Sequence, residues 1–358
     1  MVGGSYAGIR SASTRDRYPD TIYAALASSA PVEARIDMSI YYDQVYLGML
    51  SYGYGNCTKD LQAATFYIDQ QLMQNETAAD IKQLFFGQGV VNISNADFAA
   101  SLAGIYDTYQ SYGMGGGNAS LGALCDYLEL DPSSNVTAGP NGQAQIVGNK
   151  TIAERLASWP MIVPIVNAYN QVNFKDLDSK LPEDYNLSKQ ITDPGSYCWT
   201  WQYCSQWGYF QSNNRGSRSL LSRYLTLDYL QKRCYWQLPG ALESGLLPIA
   251  PQTNIVNNET GGWWMRPSNV FWSGGSFDPW RTLSPLSTNN IAPQGVGFTT
   301  KVPECNVETD ETQVFGYIME NAEHCFDFLI DFAPGVKSRN YFTDALKAWL
   351  PCFKPEQK

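Results

Sequence analysis

The chain has 358 residues, 44% hydrophobic and 13% aromatic, with 34 acidic against 24 basic side chains and a net charge of −10. That length and apolar share suffice for one large domain or two smaller ones, while the acidic balance excludes a phosphate-gripping nucleic-acid surface. No apolar run approaches the ~20 residues of a membrane span.

In chain order, Gly3-Gly4-Ser5-Tyr6-Ala7-Gly8 reads as a sharp nucleophile turn, with residues 7–18 as the helix that follows and Pro19 as its stop. Residues 22–29 are apolar and small, the pattern of a buried parallel strand. From about Glu33 the character changes. Residues 36–53, 57–74, 79–87 and 95–112 are aromatic-rich, with apolar spacings of three and four that predict helices. Residues 113–117 and 132–142 have loop compositions, 217–234 reads as another helix, and the Gly/Pro/Asn-rich stretch 239–262 reads as a return linker. Strands are expected at 269–274 and 314–320, and helices at 325–332 and 341–350. The layout is strand-turn-helix-strand, a long helical insertion, then strand-Asp-strand-His-helix.

The chemistry concentrates in three places. His324 is the sole histidine of the chain, and Ser276-Phe277-Asp278-Pro279-Trp280 offers an acid before it. A serine hydroxyl needs a base to take its proton, and that base needs a third group to orient it. The order Ser5, Asp278, His324 is that of α/β-hydrolases. Taken singly, Gly-Gly-Ser is an ordinary turn, Asp before Pro is a turn former, and a lone histidine is a structural imidazole. Their joint order favours the catalytic reading. Tyr6, next after the nucleophile, then supplies a backbone N–H to an oxyanion hole. Trp280 is either a core side chain or a flat wall for a proline ring.

Eight cysteines without paired zinc-type spacing point to an oxidising compartment rather than a metal site. Eight glycosylation sequons begin at Asn56, Asn75, Asn92, Asn118, Asn135, Asn149, Asn186 and Asn258, where roughly three are expected by chance. Both features indicate a secreted or vacuolar/lysosomal protein, although the chain opens on a glycine turn and not on a signal peptide. Nothing calls for a cofactor or a metal.

Several pieces together resemble the S28 serine peptidases, the group of Pro-X carboxypeptidase, dipeptidyl peptidase II and the fungal acid prolyl endopeptidases. They are Gly3-Gly4-Ser5-Tyr6-Ala7-Gly8, Ser29-Ala30-Pro31-Val32, Trp201-Gln202-Tyr203-Cys204 with Gly208-Tyr209-Phe210-Gln211, Gly261-Gly262-Trp263, Phe277-Asp278-Pro279-Trp280 and Glu323-His324-Cys325. The resemblance implies an α/β-hydrolase domain from residues 1–36 and 251–358, with a helical cap at 37–250. It implies Ser5 as nucleophile, Asp278 as acid and His324 as base, acting on peptides after proline at acidic pH. It also implies a Cys204–Cys234 bridge. Cys57 with Cys125 is the pair expected to staple the cap. Cys198, Cys305, Cys325 and Cys352 stay unassigned, with Cys325 expected in a disulfide and not as a second nucleophile.

There are departures from the family pattern. Ser205-Gln206 stands where the family often has Thr-Glu, which leaves endo- against exopeptidase action open. Only Met1, Val2 and Gly3 precede Gly4, whereas a strand usually takes about five residues. The chain therefore reads as lacking the family's earlier strands and second oxyanion donor, and is expected to fold poorly and turn over little substrate by itself. An inactive glycosylated homologue, or an esterase on the same fold, are the alternatives.

Overall fold

The computed structural model describes residues 1–169 and 185–353. The chain divides into two compact units: Met1–Arg35 together with Gln252–Lys358, and Ile36–Pro251.

The first unit is built on a five-stranded sheet: β1 (Val2–Gly4), β2 (Ala25–Ser28), β3 (Val270–Gly275), β4 (Gly297–Thr299) and β5 (Gln313–Met319). The spatial order is β1-β2-β3-β5-β4, and every neighbouring pair is parallel. The register aligns Gly4 with Ser28, Ser28 with Ser273, and Gly275 with Met319. β2 and β3 are buried along their whole length, as expected of parallel strands. On one face Leu26, Phe271 and Phe315 pack against Ala345 and Trp349 of the helix Ala333–Trp349. The rings stack edge-on, Phe271 to Phe315 at 5.1 Å and Phe315 to Trp349 at 5.8 Å. Each such burial stabilises by about 1.5–3 kcal/mol.

Because all five strands run the same way, their C-terminal ends share one edge of the sheet. In open α/β sheets that edge is where sites form. Ser5 follows β1, Ser29 follows β2, Asp278 follows β3, and His324 follows β5.

The second unit is mostly helical, with its longest helices at Ile40–Ser51, Gly55–Gln71, Asn75–Phe86 and Leu227–Gln237. Two disulfides lie within it, Cys57–Cys125 and Cys204–Cys234. A third, Cys305–Cys352, ties the first unit.

Several local expectations are corrected. Residues 217–226 are not helical. Asn214 accepts from Leu220 N at 3.0 Å and Asp69 accepts from Arg223 N at 3.0 Å, so side chains take the backbone groups a helix would use. The helix begins at Leu227 instead, with Thr226 Oγ1 accepting from Tyr229 N. Residues 325–332 hold only a short 3₁₀ turn, Phe326–Phe328, because Cys325 sits in the left-handed region at φ 60°. The return linker contains a helix, Thr253–Thr260. Cys325 is a free thiol, as is Cys198. Its sulfur is packed against the Gly4 backbone, where a Cβ would fall 2.8 Å from Sγ.

Candidate active site

The Ser5 turn is made possible by its glycines. A Cβ at Gly3 would lie 2.1 Å from the Ala7 carbonyl oxygen, and one at Gly8 would lie 2.8 Å from the Ser28 oxygen. At Gly4 it would lie 2.5 Å from the Phe328 ring. Strand β1 and the helix Tyr6–Arg17 therefore approach too closely for any side chain. Ser5 itself sits at φ 58°, ψ −130°, a conformation that costs a non-glycine residue about 1–3 kcal/mol. Its N–H donates to the Ser28 oxygen at 2.9 Å, and its own carbonyl accepts from Gly8 and Ile9. The Ser5 hydroxyl does not cap the helix. Tyr6 is the first helical residue, so its N–H stands at the positive end of the helix dipole.

Asp278 follows β3. Asp278 is fully buried, and its Oδ1 accepts from Trp280 N at 2.9 Å. The same oxygen meets His324 Nδ1 at 2.9 Å. Backbone bonds hold the two loops together, Ser276 N to the Met319 oxygen at 2.8 Å and Phe277 N to the Ala322 oxygen at 3.0 Å. Arg281 locks the Asp278 turn. Its guanidinium donates to the carbonyls of Gly275, Ser276 and Leu286 and to Thr288 Oγ1 at 2.8–3.1 Å.

His324 is the point of convergence. Its side chain is only 7% exposed. Burial pulls the imidazole pKa down, but the Asp278 carboxylate, aided by Cys325, more than offsets this and raises it to about 10. His324 Nε2 and Asp278 Oδ2 are buried and make no hydrogen bond. The open Nε2 is the atom a base needs, yet Ser5 Oγ is not hydrogen-bonded to it here. Catalytic contacts are often loose before substrate binds. Trp280 lies beside the imidazole, ring centroids 6.4 Å apart, and is only 8% exposed. It packs the histidine and presents little surface to a ligand.

Four contributors escaped the sequence reading. Arg281 is one. Ser29, at φ 48°, accepts from Cys325 N at 2.9 Å through its hydroxyl. Asp327 is buried and accepts from the hydroxyls of Ser28, at 2.5 Å, and Ser273. Glu33 accepts from Asn257 Nδ2 at 2.9 Å and Trp263 N at 3.1 Å, and a Cβ at Gly262 would lie 2.2 Å from its Oε2. That approach explains the Gly261-Gly262-Trp263 run.

A parallel sheet with a glycine-bound serine turn after one strand, and an acid and a histidine after later ones, is the α/β-hydrolase arrangement. Residues 1–294 match the model described as serine carboxypeptidase S28. The chain belongs to that family. It is 25% identical to a probable extracellular serine carboxypeptidase of Arthroderma benhamiae, over 78% of this chain and 40% of that protein. It is 23% identical to the thymus-specific serine protease of Mus musculus, over 99% of this chain and 64% of that one. The Homo sapiens protein of the same name is 26% identical over 79% and 53%. The chain thus spans between two fifths and two thirds of the length of these relatives. Among the described residues, no helix is long and apolar enough to cross a membrane, and no cluster of three or more His, Cys, Asp or Glu is placed to hold a metal.

Proposed function

We propose that this chain carries the catalytic residues of a serine peptidase that hydrolyses peptide bonds after proline. The observation that supports it best is the buried His324–Asp278 pair at 2.9 Å, with Nε2 left open on a loop packed against the Ser5 turn. Ser5 Oγ attacks the carbonyl carbon. His324 Nε2 takes its proton and delivers it to the leaving amine, while Asp278 holds the imidazole and stabilises its charged form. The Tyr6 N–H faces the developing oxyanion. Water then releases the acyl group by the same route. Within this reading Trp280 packs the imidazole that acts as base.

The family resemblance implies an acidic working range. The Asp278 carboxylate raises the His324 pKa, so the neutral base form dwindles as pH falls, and a kcat/KM profile against pH decides where turnover peaks. Three disulfides suit secretion or a vacuolar or lysosomal compartment. Of the sequon asparagines, Asn75, Asn92, Asn118, Asn135, Asn186 and Asn258 are exposed and open to glycans.

The test is labelling with a fluorophosphonate, alongside turnover of a Pro-X reporter and a simple acyl ester. Labelling at Ser5, its loss in Ser5→Ala and His324→Ala, and preference for the Pro-X reporter are expected. Ester turnover alone would make it an esterase. A second reading, an inactive homologue, draws on the missing Ser5–His324 hydrogen bond; a folded chain that takes no label would establish it.

A further inference from the structure

We propose that Asp327 is a positioning residue for His324. It pins the histidine loop to β2, whose Ser28 carbonyl holds the Ser5 N–H, and to β3, which leads into the Asp278 turn. The inference rests on the reading of His324 as the base.

Its ground is a network that no single segment explains. Asp327 is wholly buried, three residues past the imidazole, and its two oxygens accept from different strands. Oδ1 takes the Ser28 hydroxyl at 2.5 Å, and Oδ2 takes the Ser273 hydroxyl. Ser28 is the residue whose carbonyl holds the Ser5 N–H at 2.9 Å. Ser273 lies in β3, which leads directly into the Asp278 turn, and its carbonyl accepts from Ser29 N at 2.7 Å. Ser29 in turn accepts from Cys325 N. The loop between His324 and the helix Ala333–Trp349 is clamped from the other side by Arg339, which donates to the carbonyls of Asp327, Leu329 and Ile330.

A buried carboxyl is costly unless hydrogen-bonded, and two apolar side chains would fill this place without that cost. What the carboxyl adds is direction. It fixes the loop at one angle to β2 and β3 together, so the imidazole meets Asp278 while Cys325 and Phe328 of the same loop pack on Gly4 of the Ser5 turn. A misplacement of about 1 Å at a reacting group costs about 10²-fold in rate. The loop is a 3₁₀ turn between irregular stretches, so its shape is set by such side-chain anchors and not by a helix or strand of its own.

The sole histidine makes the test direct. In a chain labelled with ¹⁵N-histidine, every imidazole signal belongs to His324, so its titration reports its contact with Asp278 without any turnover. Asp327→Ala is expected to lower the His324 pKa by about one unit or more, as contact with the carboxylate loosens. Fluorophosphonate labelling of Ser5 should slow by about 10²-fold, while the KM of a Pro-X reporter stays nearly constant. Asp327→Asn keeps the shape and can still bond both hydroxyls, so it should restore both the titration and the labelling. Trp349→Phe, a core change away from the loop, should lower the melting temperature and leave the imidazole signals in place. Parental ring signals and titration in Asp327→Ala would overturn the proposal. Where Asp327→Ala does not fold, Ser28→Ala and Ser273→Ala decide it: moved imidazole signals support the pin, and unmoved signals in both refute it. If the parent takes no label but the imidazole still moves in Asp327→Ala, the peptidase reading fails and the positioning of His324 stands.

Discussion

Gly3→Ala tests the tightest contact of the Ser5 turn. The added Cβ falls 2.1 Å from the Ala7 carbonyl oxygen, which is backbone, and 2.5 Å from Ser11 Oγ. An ordinary contact needs more than 3.4 Å, so β1 and the helix Tyr6–Arg17 must part by over an ångström. Strain of this kind costs about 1–3 kcal/mol. For a unit of this size roughly 4 °C is lost per kcal/mol, so the melting midpoint should fall by roughly 4–12 °C. The displaced helix turns the Tyr6 N–H relative to Ser5 Oγ, so phosphonate labelling should slow by about 10²-fold beyond the unfolded fraction. Gly53→Ala is the control, since its Cβ meets nothing within 4 Å and only its φ of 88° opposes the change. Calorimetry and labelling rates measured on both variants decide the matter. Gly3→Ala with the parental midpoint and the parental labelling rate would refute the close approach of strand and helix.

Asp278→Asn removes the charge that lifts the imidazole but leaves it buried, so the His324 pKa should drop from about 10 to below its ordinary ~6.5. The acid limb of kcat/KM should move down in pH with it, and turnover should fall about 10⁴-fold; an unmoved limb would detach Asp278 from the titration. The same pair contributes stability below about pH 6.5 that is lost as pH rises through the folded value, which denaturant titrations across that window will show. Removing Cys204–Cys234, sequence separation 30, should cost about 3–4 kcal/mol, and removing Cys57–Cys125, separation 68, somewhat more, measured as urea midpoints against the parent. Asn56 should be empty of glycan in folded protein, because its Nδ2 donates to Glu129 Oε2 at 2.8 Å; site-resolved mass spectrometry that finds it occupied would contradict this.

The α/β-hydrolase character was legible because its signals are local. Gly3, Gly4 and Gly8 sit at fixed spacing around one serine, and the apolar runs of β2, β3 and β5 are continuous. The elements that were missed depend on partners far along the chain. Asn214 and Asp69 divert residues 217–226 from a helix that their spacing favours. Cys325 looked like half of a disulfide, yet its place is set by the Gly4 backbone. Arg281 and Asp327 carry no motif, since an arginine or aspartate becomes a brace only once carbonyls and hydroxyls from other strands surround it. Glu33 and Gly262 stand 229 positions apart, and their contact exists only in the folded unit.

The first unit is assembled from two separated stretches of chain, with Ile36–Pro251 between them. This order sets a clock. His324 follows Ser5 by 319 positions, so at about 5–20 residues per second a ribosome delivers the serine roughly 16–64 s before the histidine. Strands β3 and β5, which lead into Asp278 and His324, arrive in the same late window. Under the proposed roles, the serine waits through that interval for the imidazole that activates it, and its chemistry begins only once the last strands of the sheet have been made.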